Sequence, residues 1–238
     1  MRFRLLGPVE VVGPSGPVAL AGVKPRALLA ALLLEHGRTV TADGLIAVVW
    51  GEDPPATARA VLQTYVATLR RTLDAAGLPP LITSDRHGYR AEVPEDALDV
   101  RVFERSVERG RQAAHAGGHV EAGEHLRAGL ALWRGPALGG IGESFLRAEA
   151  ARLDELRLVA TEERIEADLA VGQGPRLLAE LTELVTLHPA RERLRGGLML
   201  ALYRAGRQTD ALEVFDRGRL ALRDELGLDP GPELRRLH

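Results

Sequence analysis

Residues 58–73 read ARAVLQTYVATLRRTL, and the two sides of this stretch decide what fold surrounds it. On a helix turning roughly 100° per residue, Ala58, Leu62, Tyr65, Val66, Leu69, Leu73 and, one turn on, Ala76 gather into a single apolar stripe, the pattern of a face turned to a core. Opposite lie Ala60, Thr64, Ala67, Thr68 and Arg71, with Arg59, Gln63 and Arg70 along one flank. A solvated helix ordinarily carries long side chains of both charges in i, i+4 pairs, yet this one meets no acid before Asp74. A short-chained centre lets a helix axis sink toward base edges in a major groove, where threonine donates, accepts or touches a thymine methyl and glutamine pairs with adenine. Arginines on the flank then meet phosphates. An amphipathic helix with an ordinary solvated side satisfies the same stripe, so the neighbouring segments decide.

Upstream, FRLLGPVEVVGPSGPVAL (3–20) reads as short strands broken by Gly-Pro and by the turn GPSG, which predicts a small antiparallel sheet. KPRALLAALLLEHG (24–37) predicts a helix with Pro25 in its first turn and Gly37 past its end. RTV (38–40) suits a short strand, and a second helix starts near Thr41 or Asp43. The third helix, over 55–76, enters through Pro54 and Pro55 and stops at Gly77. After it, LITSDRHGYRAEV (81–93) alternates as a hairpin, a wing over 82–93 with a polar tip at Ser84 to Gly88. Strands, three helices and a terminal hairpin make a winged helix-turn-helix plan. In it Arg86 suits an adjacent minor groove, with His87 beside it.

Charge supports that reading by its distribution. The chain of 238 residues carries a net charge of −2. Residues 1–95 hold 10 basic against 9 acidic residues and the remainder 21 against 24, so the amino-terminal part is slightly basic. Within 54–91, Arg59, Arg70, Arg71, Arg86 and Arg90 face only Asp74 and Asp85, a modest basic patch that a dimer doubles. Length gives two domains, divided at 95/96, with VPEDALD (93–99) as a short linker. The absence of cysteine removes disulfides, iron–sulfur clusters and cysteine zinc sites and fits a reducing compartment. No run approaches eighteen apolar residues, and the amino end turns polar too early for a signal peptide, so a cytoplasmic protein without a membrane partner is expected.

From Asp99 onward the pattern is helical. Gly117, Ala122, Leu126 and Gly129 are spaced by 5, 4 and 3 residues, and so are Gly206, Ala211, Phe215 and Gly218. Gly172 precedes Gly206 by 34 residues, the tetratricopeptide period. Small residues at these offsets let antiparallel helices approach closely. Residues 100–238 are therefore expected to form stacked helical hairpins, interrupted by WRGPALGGIGESF (133–145), a scaffold suited to binding protein. The fold class is mainly α with a small β part: a winged helix-turn-helix domain, then an all-α tetratricopeptide-like domain.

LLGPVEV (5–11), KPRALLAALLL (24–34), the block 45–73 and GYRAEVP (88–94) resemble the DNA-binding domain of the Streptomyces antibiotic regulatory protein family. ALWRGPALGGI (131–141), LDELRLVATEERIEADL (153–169), the stretch 188–215 and ELGLDPGPELRRLH (225–238) resemble its bacterial transcriptional activation domain. The resemblance covers nearly the whole chain in the family's motif order. It implies a response-regulator type winged helix without a receiver domain, and an activator of secondary-metabolite genes that binds direct repeats of double-stranded DNA beside a promoter, as a homodimer there, and contacts RNA polymerase holoenzyme. By the motif match Gln63, Thr64, Thr68, Arg70 and Arg71 occupy the recognition surface. Where the family more often has Ser-Arg, this chain has Ala67 and Thr68, which removes one basic contact. Many members run on past the equivalent of His238, some into a nucleotide-binding module.

Other chemistry finds little footing. There is no G-x-x-x-x-G-K-[ST] loop, since the lone Lys24 follows Val23, and no G-x-S-x-G elbow. His115, His119 and His125 invite a metal reading, but Gly117 and Gly118 interrupt the helix that aligns them, so no metal or other cofactor is expected. Trp50 and Trp133 read as packing residues, and Glu162, Glu163 and Glu166 as the solvated side of a helix. The expectation is a DNA-binding activator and not an enzyme. The alternative is a tetratricopeptide-type protein–protein adaptor without direct DNA readout.

Overall fold

The computed structural model describes residues 2–141 and 146–238, apart from the side chains of 225 and 226. By packing, the chain divides into two compact units, residues 1–106 with 128–157, and residues 107–127 with 158–238.

In the first unit, β1 (Arg2–Arg4), β2 (Glu10–Gly13) and β3 (Gly16–Val18) form an antiparallel sheet in sequence order, with Phe3 opposite Val11 and Gly13 opposite Gly16 across the GPSG turn. Helix α1 (Val23–Leu34) buries every residue from Ala27 to Leu33. A helix apolar on all sides belongs in the middle of its unit, and the Ala/Leu run puts it there. β4 (Val40–Thr41) leads into α2 (Ala42–Trp50), where the Thr41 hydroxyl accepts from the Gly44 N–H at 3.1 Å and caps the helix. α3 (Ala58–Ala75) follows, three residues later than Pro55, because the two prolines stay in the loop before it. β5 (Ile82–Ser84) and β6 (Gly88–Ala91) make the hairpin, and β4 joins it on the other side of β6, giving the order β4-β6-β5. Gly88 lies opposite Thr41 in that ladder, and a Cβ there would collide with the Val40 carbonyl, so glycine is what lets β4 pair.

The segment after the hairpin is more than a linker. A 3-10 turn over Glu95–Ala97 leads to α4 (Asp99–His115), whose first residue is buried. The Asp99 carboxylate accepts from the main-chain N–H groups of Leu5 (2.8 Å) and Leu6 (3.1 Å), with Arg134 3.8 Å away. Burial is the largest influence on Asp99 and pushes its carboxyl above the ordinary range, against the pull of those N–H groups. Part of the interruption at 133–145 also joins this unit. The N–H groups of Arg134, Leu138 and Gly139 donate to the carbonyls of Leu6, Leu5 and Gly7, and Val9 donates back to Gly139. Trp133 packs edge-on against Phe103, centroids 5.4 Å apart, with the Arg157 guanidinium over its ring. Residues 142–145 of that interruption lie outside the described residues.

The second unit is helical. Beyond α5 (His119–Leu130) come α6 (Arg147–Ala170), α7 (Gly174–Leu187), α8 (Glu192–Arg204), α9 (Gln208–Leu226) and α10 (Pro232–Leu237). The sequence repeat has a direct cause. Gly117, Gly172 and Gly206 all sit at φ between 77° and 83°, left-handed turns that end α4, α6 and α8 and reverse the chain. The small residues that follow set helix spacing: Ala122 and Ala211 are buried, and a Cβ on Gly129 would press on Phe103 and Ser106 within the first unit. Leu169, Leu181, Leu194, Leu198, Val214 and Phe215 belong to the core of α6 to α9.

The acids on α6 depart from the solvated face expected of them. The Glu162 side chain is 2% exposed and meets Arg193 at 3.2 Å, and Glu163 takes the Arg111 Nε–H at 2.9 and 3.1 Å. Only Glu166 remains largely exposed, paired with Arg193 at 2.9 Å. Helices packed to either side of α6 supply these arginines, information that a single helical wheel does not hold.

Candidate nucleic-acid interface

α3 carries the expected division. Ala58, Leu62, Val66, Leu69 and Leu73 are buried, while Ala60, Gln63, Thr64, Ala67, Arg70 and Arg71 are exposed. Tyr65 is half-buried and stacks on Trp50 with centroids 6.0 Å apart, which fixes α2 against α3, and Lys24 lies 5.0 Å over the Trp50 ring. The centre of the outer face is therefore alanine and threonine, with nothing long enough to hold a duplex away.

The polar groups of that face bond locally. The Thr64 hydroxyl donates to the Ala60 carbonyl at 3.1 Å, leaving its oxygen lone pairs outward. Thr68 is half-buried and accepts from the Arg71 Nη2 at 3.3 Å. Arg59 is paired with Asp43 of α2 at 2.6 Å, both side chains well exposed. Such an exposed pair contributes about 0.2–1 kcal/mol, so Arg59 can exchange its partner at small cost.

Arg70 has a second task that the wheel did not reveal. Its Nε donates to the Ile82 carbonyl at 3.0 Å, tying α3 to β5. α3 and the hairpin are thus joined through one guanidinium whose charge no described carboxylate within 4 Å neutralises. The wing tip is organised by Asp85, also missed from the sequence although an Asp three residues before a Gly is a turn signature. Its Oδ1 accepts from the N–H groups of His87 (2.7 Å) and Gly88 (3.0 Å), and its Oδ2 from the Thr39 hydroxyl (2.9 Å). The His87 N–H, then Thr39, hold the Asp85 carboxyl below its ordinary value. With Asp85 so engaged, Arg86 points its Nε at the His87 ring nitrogen (3.2 Å), and both side chains are exposed at the tip. The structure thus gathers Arg59, Gln63, Thr64, Arg70 and Arg71 on the outer side of α3, half-buries Thr68 there, and sets Arg86 and His87 on the hairpin.

Two families match this architecture. Residues 18–91 match the family described as transcriptional regulatory protein, C terminal, and residues 98–238 match the bacterial transcriptional activator domain. The whole chain is 36% identical to the regulatory protein DnrI of Streptomyces peucetius and spans 90% of it. The chain belongs to the Streptomyces antibiotic regulatory protein family. It carries both domains that the family's regulatory proteins share, the transcriptional regulatory C-terminal type over 18–91 and the bacterial transcriptional activator domain over 98–238. The family also includes the regulatory protein AfsR of Streptomyces coelicolor, 42% identical over the whole of this chain, which spans 24% of that longer protein. The structure of Mycobacterium tuberculosis EmbR in complex with a low-affinity phosphopeptide superposes with a TM-score of 0.94 at 39% identity, covering 99% of this chain and 63% of the EmbR chain. Among the described residues no helix is long and apolar enough to cross a membrane.

Proposed function

We propose that this regulator, working in the cytoplasm, activates secondary-metabolite genes by laying α3 in the major groove of direct repeats at a promoter. The wing tip at Arg86 and His87 enters the adjacent minor groove, and a homodimer occupies the two repeats. Residues 1–95 read DNA in this scheme, and residues 96–238 contact RNA polymerase holoenzyme. The observation that carries the reading is the outer face of α3, small and free of acids at its centre, with Arg70, Arg71 and Arg86 bonded to a carbonyl, a hydroxyl and an imidazole and not to carboxylates. Positive charge left unbalanced beside a low-profile helix is what a phosphate backbone on either side of a groove requires.

The test is a shift assay on promoter DNA with repeats about one helical turn (10–10.5 bp) apart. Arg71→Ala and Arg86→Ala should weaken binding on every sequence and flatten its salt dependence, whereas changes at Gln63, Thr64 or Thr68 should alter sequence choice. Unchanged affinity and salt slope in both arginine variants would refute the docking and favour an adaptor that reads no DNA.

A further inference from the structure

The second unit holds a cavity of about 470 Å³ lined by α7, α8 and α9, within the size range of small-ligand sites. One wall is apolar, with Leu178, Val185, Leu198 and Val214. On the other stands Arg195, which is 5% exposed. Its Nη1 and Nη2 donate to the carbonyls of Val214 (3.1 Å) and Pro189 (2.8 Å), while its buried Nε has no acceptor among the described residues. No described carboxylate pairs with it, unlike the buried Arg164, which is paired with Asp168 and Glu180. Buried charges are expensive unless paired; the nearest acid acting on it, Glu192 one turn earlier, is engaged by the Gly231 N–H and offsets the charge only from a distance, so the guanidinium lacks a contacting counter-ion. The α9 backbone seats against this side chain and covers its Nε. A Cβ on Gly218 of α9 would collide with Arg195 at Nε, Cδ and Cζ. That gives the second glycine of the Gly206–Gly218 pattern a purpose beyond helix approach.

Arg217, exposed and next to Gly218, lines the same cavity. Burial, and after it the charge of Arg217, holds the Arg195 guanidinium below the ordinary arginine value, against a smaller pull from Glu192. The remaining charged lining groups are Arg207, already paired with Asp210, and Glu213. The lining thus has one positive charge in excess.

We propose that this cavity binds a small aliphatic monocarboxylate, its carboxylate between Arg195 and Arg217 and its carbon chain against Leu178, Val185 and Leu198. A monoanion balances the lining; a phosphate dianion overshoots it. The apolar wall selects an acid with a hydrocarbon body. The carboxylate has two sources, a free organic acid or the carboxyl end of a peptide. The site stands independently of the DNA reading proposed above.

The test uses the full chain with labelled leucine and valine methyl groups, followed by NMR during titration with hexanoate, N-acetyl-leucine and N-acetyl-leucinamide. Both acids should shift the methyls of Leu178, Val185 and Leu198 saturably, and the amide should bind about tenfold more weakly or worse. Tighter binding of N-acetyl-leucine than of hexanoate identifies a peptide end as the source, and the reverse or equality identifies a free acid; either supports the site. Arg195→Gln should abolish acid binding, but this side chain also ties two carbonyls, so Arg217→Gln at the exposed position decides. It should weaken both acids several-fold and leave the amide unchanged. The proposal is overturned if acid and amide bind alike, if neither acid saturates, or if Arg217→Gln leaves acid affinity unaltered.

Discussion

Arginine is used in opposite ways in the two parts of this molecule. On α6 and its neighbours, Arg111, Arg127, Arg164 and Arg193 each reach a carboxylate on another helix, and two of the acids they meet, Asp168 and Glu162, are almost wholly buried. On α3 and the wing, Arg59 and Arg90 meet exposed acids, Asp43 and Glu92, but Arg70, Arg71 and Arg86 find only neutral acceptors. The first arrangement neutralises charge and spends it on helix packing. The second leaves charge unbalanced at the surface, where stability gains little from it and where the proposed DNA contact would use it. Net charge, near zero for the whole chain, conceals this contrast.

The sharpest way to break the comparison is Arg164→Ala, which leaves Asp168 buried with one of its two arginines gone. Urea unfolding should show a loss of about 3 kcal/mol, with DNA affinity per folded molecule unaffected. Next is Gly88→Ala, which forces β4 away from β6. It should cost about 1–3 kcal/mol and lower DNA affinity, because the wing is displaced while its arginine stays. Arg71→Ala should do the reverse, changing stability by less than about 0.5 kcal/mol while reducing the slope of log affinity against log salt by about one. The smallest effect concerns acid. Asp85 has a lowered carboxyl pKa, so its contribution to the wing is fully present above the ordinary carboxylate range and is lost only as pH falls through that lowered value. NMR titration should place its midpoint below that of an unhindered aspartate, and Thr39→Ala should move it up.

Much of this was legible in the chain. The apolar stripe of α3, the GPSG turn, the Gly77 stop and the recurrent Gly117, Gly172 and Gly206 turns are local signals, and local sequence determines them. The candidate face was legible as a set of residues on one side of one helix. Missing were the partners that come from far along the chain: Arg70 on Ile82, Thr39 on Asp85, and Arg111 and Arg193 on the α6 acids. A wheel states which way a side chain points and not what stands there. Asp99 is the clearest case, an acid inside an apparent linker whose burial follows from two N–H groups more than ninety residues earlier.

The main chain of Leu5 to Val9 finds its mates at Asp99 and at Arg134 to Gly139. During synthesis, then, the elements that would read a promoter leave the ribosome well before the stretch that finishes their own unit. Until residue 139 emerges, that early edge stays open, and the closure it awaits spans a long loop. A nascent or prematurely terminated chain would carry α3 without its completed support, which ties the maturity of that helix's unit to translation of the part that follows it.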